Sequence, residues 1–127
     1  MVNFKSGGNV NGTCLQGYVT AHYEDLVAVF GQPKYGPHAD MDGKVTCEWV
    51  ITFTEDGEKV VATIYDWKMG DTPIGREYDW HIGGFTNRAV QLVNQVFTDY
   101  QHMVYEQLEL QNYAERAYDQ DAIRYGE

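Results

Sequence analysis

The chain has 127 residues, 43% of them hydrophobic, and carries 19 acidic against 9 basic residues for a net charge of −10. This length supports one hydrophobic core and predicts a single domain. The acidic balance argues against direct nucleic-acid binding, because a phosphate backbone needs a basic protein surface. No apolar run approaches a membrane span or a signal-peptide core, so we expect a cytoplasmic protein that does not engage membranes.

The N-terminal third predicts a flexible leader followed by one short helix. Residues 1–13 are rich in glycine and asparagine with little apolar periodicity, which is typical of a mobile leader. Apolar residues then recur at three- and four-residue spacing over residues 21–30, which predicts a helix. Thr20 is placed to cap its start, and Gly31 followed by Pro33 is typical of a helix end.

The central region changes to the two-residue period of strands. Alternate residues are apolar or aromatic from Val45 to Phe53, and a second run of strand-forming residues ends at Trp67. The residues between them, 55–57, are Glu-Asp-Gly and predict a hairpin turn. A third strand is predicted over residues 78–82.

A long helix is predicted to end the chain. After a capping residue, Thr86, neither proline nor glycine interrupts the sequence before Gly126, which predicts a helix of roughly 30–35 residues. Its apolar stripe continues at helical spacing as far as Leu108, and we expect that part to pack on the sheet. Residues 109–127 should project as an acidic, tyrosine-rich distal part.

These elements predict an α+β domain over residues 14–108. It contains a three- or four-stranded antiparallel sheet, with the short N-terminal helix and the long C-terminal helix packed on one face. Strand alternation should place Trp49 on the buried face and Thr52 on the outer one. Along the third strand, the same rule should place Trp80 inward and His81 outward.

Five short strings stand in order along residues 14–95. They are Leu15-Gln16-Gly17-Tyr18, Phe30-Gly31-Gln32-Pro33, Glu48-Trp49-Val50-Ile51, Ile64-Tyr65-Asp66-Trp67-Lys68 and Trp80-His81-Ile82-Gly83-Gly84. In combination they resemble a family of small proteins from tailed bacteriophages that has no assigned activity. The resemblance implies a phage origin and host-cell cytoplasm as the location. The acidic segment after about Val96 departs from that family.

The sequence carries no recognisable catalytic or metal-binding motif. No histidine has a second His or Cys at metal-ligand spacing, and the two cysteines indicate free thiols. His81 with Asp66 or Asp79 would form an acid–base pair, but no nucleophile or metal completes the set. We therefore predict a non-enzymatic protein without cofactor or metal, and an enzyme of unrecognised type is the third hypothesis.

An aromatic cluster around the loop before the third strand carries the ligand-binding hypothesis. Aromatic and polar residues alternate there, so rings can stack on a planar ligand while polar side chains bind its edge. The expected ligand is a nucleotide-like signal that the protein sequesters. The competing interpretation is that the aromatic residues fill the core. The candidate ligand-binding residues are Tyr65, Asp66, Trp67, Lys68, Tyr78, Asp79, Trp80 and His81.

The C-terminal segment carries the leading functional hypothesis. Residues 99–127 contain seven acids, two arginines and five tyrosines, for a net charge of −5. Tyrosines suit protein interfaces, and an acidic helix complements a basic partner. We expect an accessory protein that inhibits a bacterial defence or nucleic-acid-handling protein with a basic surface. Self-association through this helix and a merely solvated helix are the alternatives. The candidate partner-binding residues are Tyr105, Glu106, Glu109, Tyr113, Glu115, Tyr118, Asp119 and Asp121.

Overall fold

The computed structural model describes the backbone of residues 2–125 and the side chains of residues 2–114. The elements of this part are β1 (Asn3–Ser6), β2 (Cys14–His22), α1 (Tyr23–Phe30), β3 (Glu48–Glu55), β4 (Glu58–Tyr65), β5 (Glu77–Gly84) and α2 (Arg88–Tyr125). The strands form one antiparallel sheet in the order β1-β3-β4-β5-β2. The predicted α+β class is confirmed, and the sheet has five strands where three or four were expected.

The β3–β4 hairpin forms around the predicted turn. Asp56 and Gly57 have φ angles of 52° and 83°. A two-residue type I′ turn requires positive φ at both positions, and Asp-Gly is one of the pairs that adopt it most readily. The register runs from Glu48 opposite Tyr65 to the residues beside the turn.

The N-terminal segment departs from the predicted leader over residues 1–13. Asn3–Ser6 pair with β3 as an edge strand, and the Gly7 carbonyl accepts a hydrogen bond from the Thr52 hydroxyl at 2.7 Å. A Cβ on Gly8 would approach Thr52 Oγ1 to 2.6 Å, so only glycine fits there without a shift. Thr52 faces away from the core as predicted but is buried under this segment. Apolar periodicity missed the segment because backbone pairing and glycine contacts hold it together with only two apolar side chains, Val2 and Phe4.

The predicted helix cap at Thr20 is wrong. This residue lies in β2, and its hydroxyl donates to Asp79 at 2.6 Å across the β2–β5 pair, while α1 begins only at Tyr23. Strand pairing with β5 therefore overrides the local helix signal. The other end of α1 is as predicted, because Gly31 has φ 84° and its N–H donates to the Val27 carbonyl at 2.9 Å.

One face of the sheet forms the core with α1 and the beginning of α2. Trp49 and Trp80 are buried there with ring centroids 5.5 Å apart, edge to face. Their indole N–H groups donate to the carbonyls of Gly31 and Ala21 at 2.8 and 3.0 Å. Buried indoles need such partners, and both tryptophans have one. The helices contribute the buried residues Leu26, Phe30, Ala89, Leu92, Val93 and Phe97.

The contacts divide the chain into two units, Met1–Phe97 and Thr98–Glu127. Buried positions on α2 end at Phe97, and Leu108 is 52% exposed. The packed stripe is therefore shorter than the sequence predicts, while the division of the chain at residues 108 and 109 stays a prediction. Within the described residues, no helix is long and apolar enough to cross a membrane.

Candidate functional site

The sheet face opposite the core, which we call the open face, carries a row of aromatic and titratable side chains. Strand pairing aligns Tyr18 with His81, His81 with Tyr65, and Tyr65 with Glu48. These residues come from β2, β5, β4 and β3, so the row crosses four strands. Trp67 lies just beyond the end of β4 and extends the aromatic surface.

Three aromatic rings surround the imidazole of His81. The ring centroids of Tyr18, Tyr65 and Trp67 lie 4.9, 5.4 and 6.3 Å from it. Tyr18 and Trp67 are 52% and 39% exposed, whereas Tyr65 and His81 are half-buried. The open face thus presents flat ring surface to solvent around one polar ring.

His81 is held in its neutral form. Burial lowers its pKa, and the Asp66 carboxylate only partly opposes this effect. Its Nδ1 is buried without a hydrogen-bond partner among the described residues. An orphaned buried N–H is rarer in proteins than an orphaned acceptor, so we assign the hydrogen to Nε2. His81 therefore offers an N–H donor without a positive charge at neutral pH.

At the other end of the row, the pKa values of Glu48 and Tyr65 are also shifted in the direction that favours the neutral form. Burial raises the pKa of the Glu48 carboxyl, with the Lys34 ammonium acting in the opposite direction. Burial, and then the negative charge of Glu48, raise the pKa of the Tyr65 phenol. Desolvation is the leading cause in both residues, which are each half-buried on this face.

Two lysines border Trp67. The Nζ atoms of Lys44 and Lys68 lie 5.8 and 5.9 Å from its ring centroid, within cation–π range. The Lys68 N–H donates to the Lys44 carbonyl at 2.7 Å, which ties the two backbones together. Lys68 has φ 54°, in the left-handed region that costs a non-glycine residue about 1 kcal/mol or more. A strongly acidic protein therefore keeps two cations beside one exposed indole.

Asp66 does not belong to this surface, contrary to the prediction. It is fully buried, and its carboxylate accepts bonds from the N–H groups of Thr46 and Cys47 at 2.8 and 3.0 Å. The Thr46 hydroxyl donates a third bond at 2.6 Å. Asp66 continues the inward alternation of Ala62 and Ile64, so it turns toward the core side and fastens the segment before β3. Burial, and then the Asp66 charge, raise the pKa of the Cys47 thiol to about 12.

Two more ligand candidates, Tyr78 and Trp80, lie on the core face, and a third, Asp79, is bonded within the sheet. Trp80 is a core residue, and Tyr78 shares its face. The Tyr78 hydroxyl accepts a hydrogen bond from the backbone N–H of Trp67 at 3.1 Å, so Tyr78 holds the backbone of Trp67 in place from the core side of the sheet. Asp79 lies on the open face, two residues before His81, where it is exposed and accepts a hydrogen bond from the Thr20 hydroxyl. Because neither Asp66 nor Asp79 bonds His81, the predicted acid–base pairs do not form.

The open face therefore carries five of the predicted ligand residues, namely Tyr65, Trp67, Lys68, Asp79 and His81. Sequence reasoning missed Tyr18, Glu48 and Lys44, which lie far from them along the chain. The pairing of β2 with β5 places Tyr18 there, whereas the sequence left the stretch before the first helix open as a short strand or a loop. Lys44 is placed by a loop hydrogen bond to Lys68 that has no sequence signal.

A second candidate surface is the part of α2 over residues 98–114, which we call the distal segment. Leu110 and Tyr113 are 70% and 75% exposed. Tyr105, Glu106 and Glu109 are exposed as well, and a hydrogen bond to the Glu109 carboxylate raises the pKa of Tyr105. The candidates Glu115, Tyr118, Asp119 and Asp121 lie outside the residues whose side chains are described.

No group of three or more His, Cys, Asp or Glu side chains is placed to hold a metal ion in the part of the chain that the structure describes. No protein-family model, curated protein or solved structure matches the chain. The open face and the distal segment are thus the two surfaces from which function is inferred.

Proposed function

We propose that this protein acts without catalysis, by binding another protein through its distal segment. The supporting observation is a set of large apolar side chains exposed along one helical stretch. Single exposed apolar residues are common, but five of them between residues 103 and 113 expose more apolar surface than an unpartnered segment needs. Most helical stability in proteins comes from packing of an apolar face, and none of residues 98–114 is buried. The exposed side chains are Met103, Tyr105, Leu108, Leu110 and Tyr113.

Charge favours a basic partner over a second copy of the chain. Asp99, Glu106 and Glu109 lie in the distal segment, and residues 98–114 contain neither Lys nor Arg. Pairing two such segments would bring like charges together, which costs free energy at close range. A partner with a basic rim around an apolar groove would bind both the acidic and the apolar side chains of the distal segment.

The sequence resemblance supports a bacterial host as the source of that partner. Host defence proteins and nucleic-acid-handling proteins carry basic surfaces because they hold phosphate backbones. An acidic, apolar helix competes for such a surface. The protein then acts as an inhibitor that occupies the surface in the host cytoplasm.

The test is affinity capture from a bacterial lysate with the tagged full-length chain and two matched variants. One variant replaces Tyr105, Leu110 and Tyr113 with alanine. The control replaces Gln101, Gln107 and Asn112, which are exposed polar residues of the same segment. We expect the wild type and the control to capture the same basic protein, and the first variant to lose it.

Capture should also weaken as salt is raised, because the Debye length falls from about 10 Å at 0.1 M to about 3 Å at 1 M. Circular dichroism should show equal helix content and melting temperature for both variants, since their side chains lie outside the core. If the variant lacking Tyr105, Leu110 and Tyr113 keeps the partner, the distal segment is not the contact. Capture that is insensitive to salt would contradict the basic partner.

A further inference from the structure

We propose that the open face is a separate binding site for a planar heteroaromatic ligand that carries a phosphate group, with mononucleotides as the simplest members of the class. This inference is independent of protein binding by the distal segment. It rests on three features that meet at Trp67 and His81: exposed rings, a neutral donor and a pair of cations.

The rings supply the surface for stacking. Tyr18 and Trp67 are exposed and Tyr65 is half-buried, although the core already holds two tryptophans and does not need these rings as filling. All three rings lie within 7 Å of the His81 ring. Bases stack on such rings without strong preference, because every base has a π face. The surface therefore selects planar ligands as a class.

His81 supplies a donor at the centre of that surface. Its buried Nδ1 lacks a partner among the described side chains, which leaves the hydrogen on Nε2. A ring nitrogen or carbonyl oxygen at the edge of a heteroaromatic ligand accepts from such a group. Hydrocarbon rings cannot, so this donor favours heteroaromatic ligands.

Lys44 and Lys68 supply the charge for a phosphate. Both ammonium groups lie near the Trp67 ring, and the strained backbone of Lys68 is tied to Lys44. Each ammonium group lies within 6 Å of the Trp67 ring centroid, so a phosphate beside that ring is within reach of two flexible lysine side chains. The ligand is then oriented with its ring over the row and its phosphate toward the two lysines.

The test is isothermal titration calorimetry of the full chain with AMP, adenosine and inorganic phosphate. We expect saturable binding of AMP, at least tenfold weaker binding of adenosine, and no saturation with phosphate alone. Trp67→Ala should lower the affinity for AMP and adenosine alike. Tyr18→Ala, at a more exposed position, should do the same if Trp67→Ala proves poorly folded.

A matched pair of charge variants separates the phosphate contact from general electrostatics. Lys44→Gln/Lys68→Gln should reduce AMP affinity to that of adenosine and leave adenosine binding unchanged. Lys5→Gln/Lys59→Gln makes the same charge change on β1 and β4 and should leave AMP binding as in the wild type. An equal loss in both double variants would overturn the lysine assignment.

Two further results would overturn the proposal. One is the absence of saturable binding of AMP, GMP, CMP and UMP at millimolar concentration. The other is much tighter binding of a short oligothymidylate that Trp67→Ala abolishes, which would make the open face a single-strand site. Both results concern only the open face. Protein binding by the distal segment is tested separately, by the alanine variants in that segment.

Discussion

On the core face of the sheet, Trp49 and Trp80 meet edge to face and each indole N–H donates to a backbone carbonyl. On the open face, Trp67 is exposed beside two lysines and His81 keeps a buried nitrogen without a partner in the described chain. Both faces are rich in aromatic residues, so composition does not separate them. The two faces differ in whether the aromatic side chains are buried and their polar atoms are hydrogen-bonded. Buried rings with hydrogen-bonded polar atoms indicate a structural role, whereas exposed rings beside an unpaired polar atom indicate a surface available for binding.

The largest difference between the faces should appear when one tryptophan is removed from each. Trp80→Ala should lower the free energy of unfolding by about 3–5 kcal/mol, because it leaves a cavity in the core. Trp67→Ala should lower it by no more than about 1 kcal/mol, since surface positions contribute little. Urea denaturation monitored by far-UV circular dichroism measures both. Equal losses would mean that Trp67 is a core residue and that the open face is structural.

The next largest effect should come from Asp66, a sequence-predicted ligand residue that the structure places in the interior. Asp66→Asn keeps the shape of the side chain but replaces an acceptor oxygen with an NH2 group. The two N–H bonds to the remaining oxygen lose their charge assistance, and the Thr46 hydroxyl has to accept from the new NH2 group instead of donating, which should cost about 1–3 kcal/mol. Asp79→Asn is the matched control at an exposed carboxylate and should change stability much less. If Asp66→Asn is as stable as the control, the buried network does not support the segment before β3.

Sequence patterns predicted the core face better than the open face. Two-residue periodicity identified β3 and the inward positions of Trp49 and Trp80, because burial of one face imposes that pattern. The open face is assembled by pairing between distant strands, and pairing partners leave no local signal. Asp66 shows a second limit: two-residue alternation places it on the core side with Ala62 and Ile64, whereas its polarity predicts exposure. The N-terminal strand was missed because its four residues are all exposed, although the Phe4 ring contacts the rings of Phe30 and Phe53.

The smallest effect should come from Glu48 on the open face, whose contribution to the free energy of unfolding depends on pH. Burial raises the pKa of this carboxyl, so the folded state binds a proton more readily than the unfolded state. By linkage, its contribution to stability is fully present below the unfolded pKa and is lost as pH rises through the folded pKa.

Glu48→Gln mimics the protonated form at every pH. It should therefore raise the free energy of unfolding at pH 7 and give no gain at pH 4, and the gain should be smaller than the loss in either Trp80→Ala or Asp66→Asn. Glu58→Gln, at an exposed position beside the hairpin turn, is the matched control and should give no pH-dependent gain. Denaturation curves at the two pH values measure the difference. A loss of stability at pH 7 in Glu48→Gln would mean that the attraction of Lys34 outweighs desolvation. The open face would then hold a stabilising ion pair at this end rather than a poorly hydrated carboxyl group.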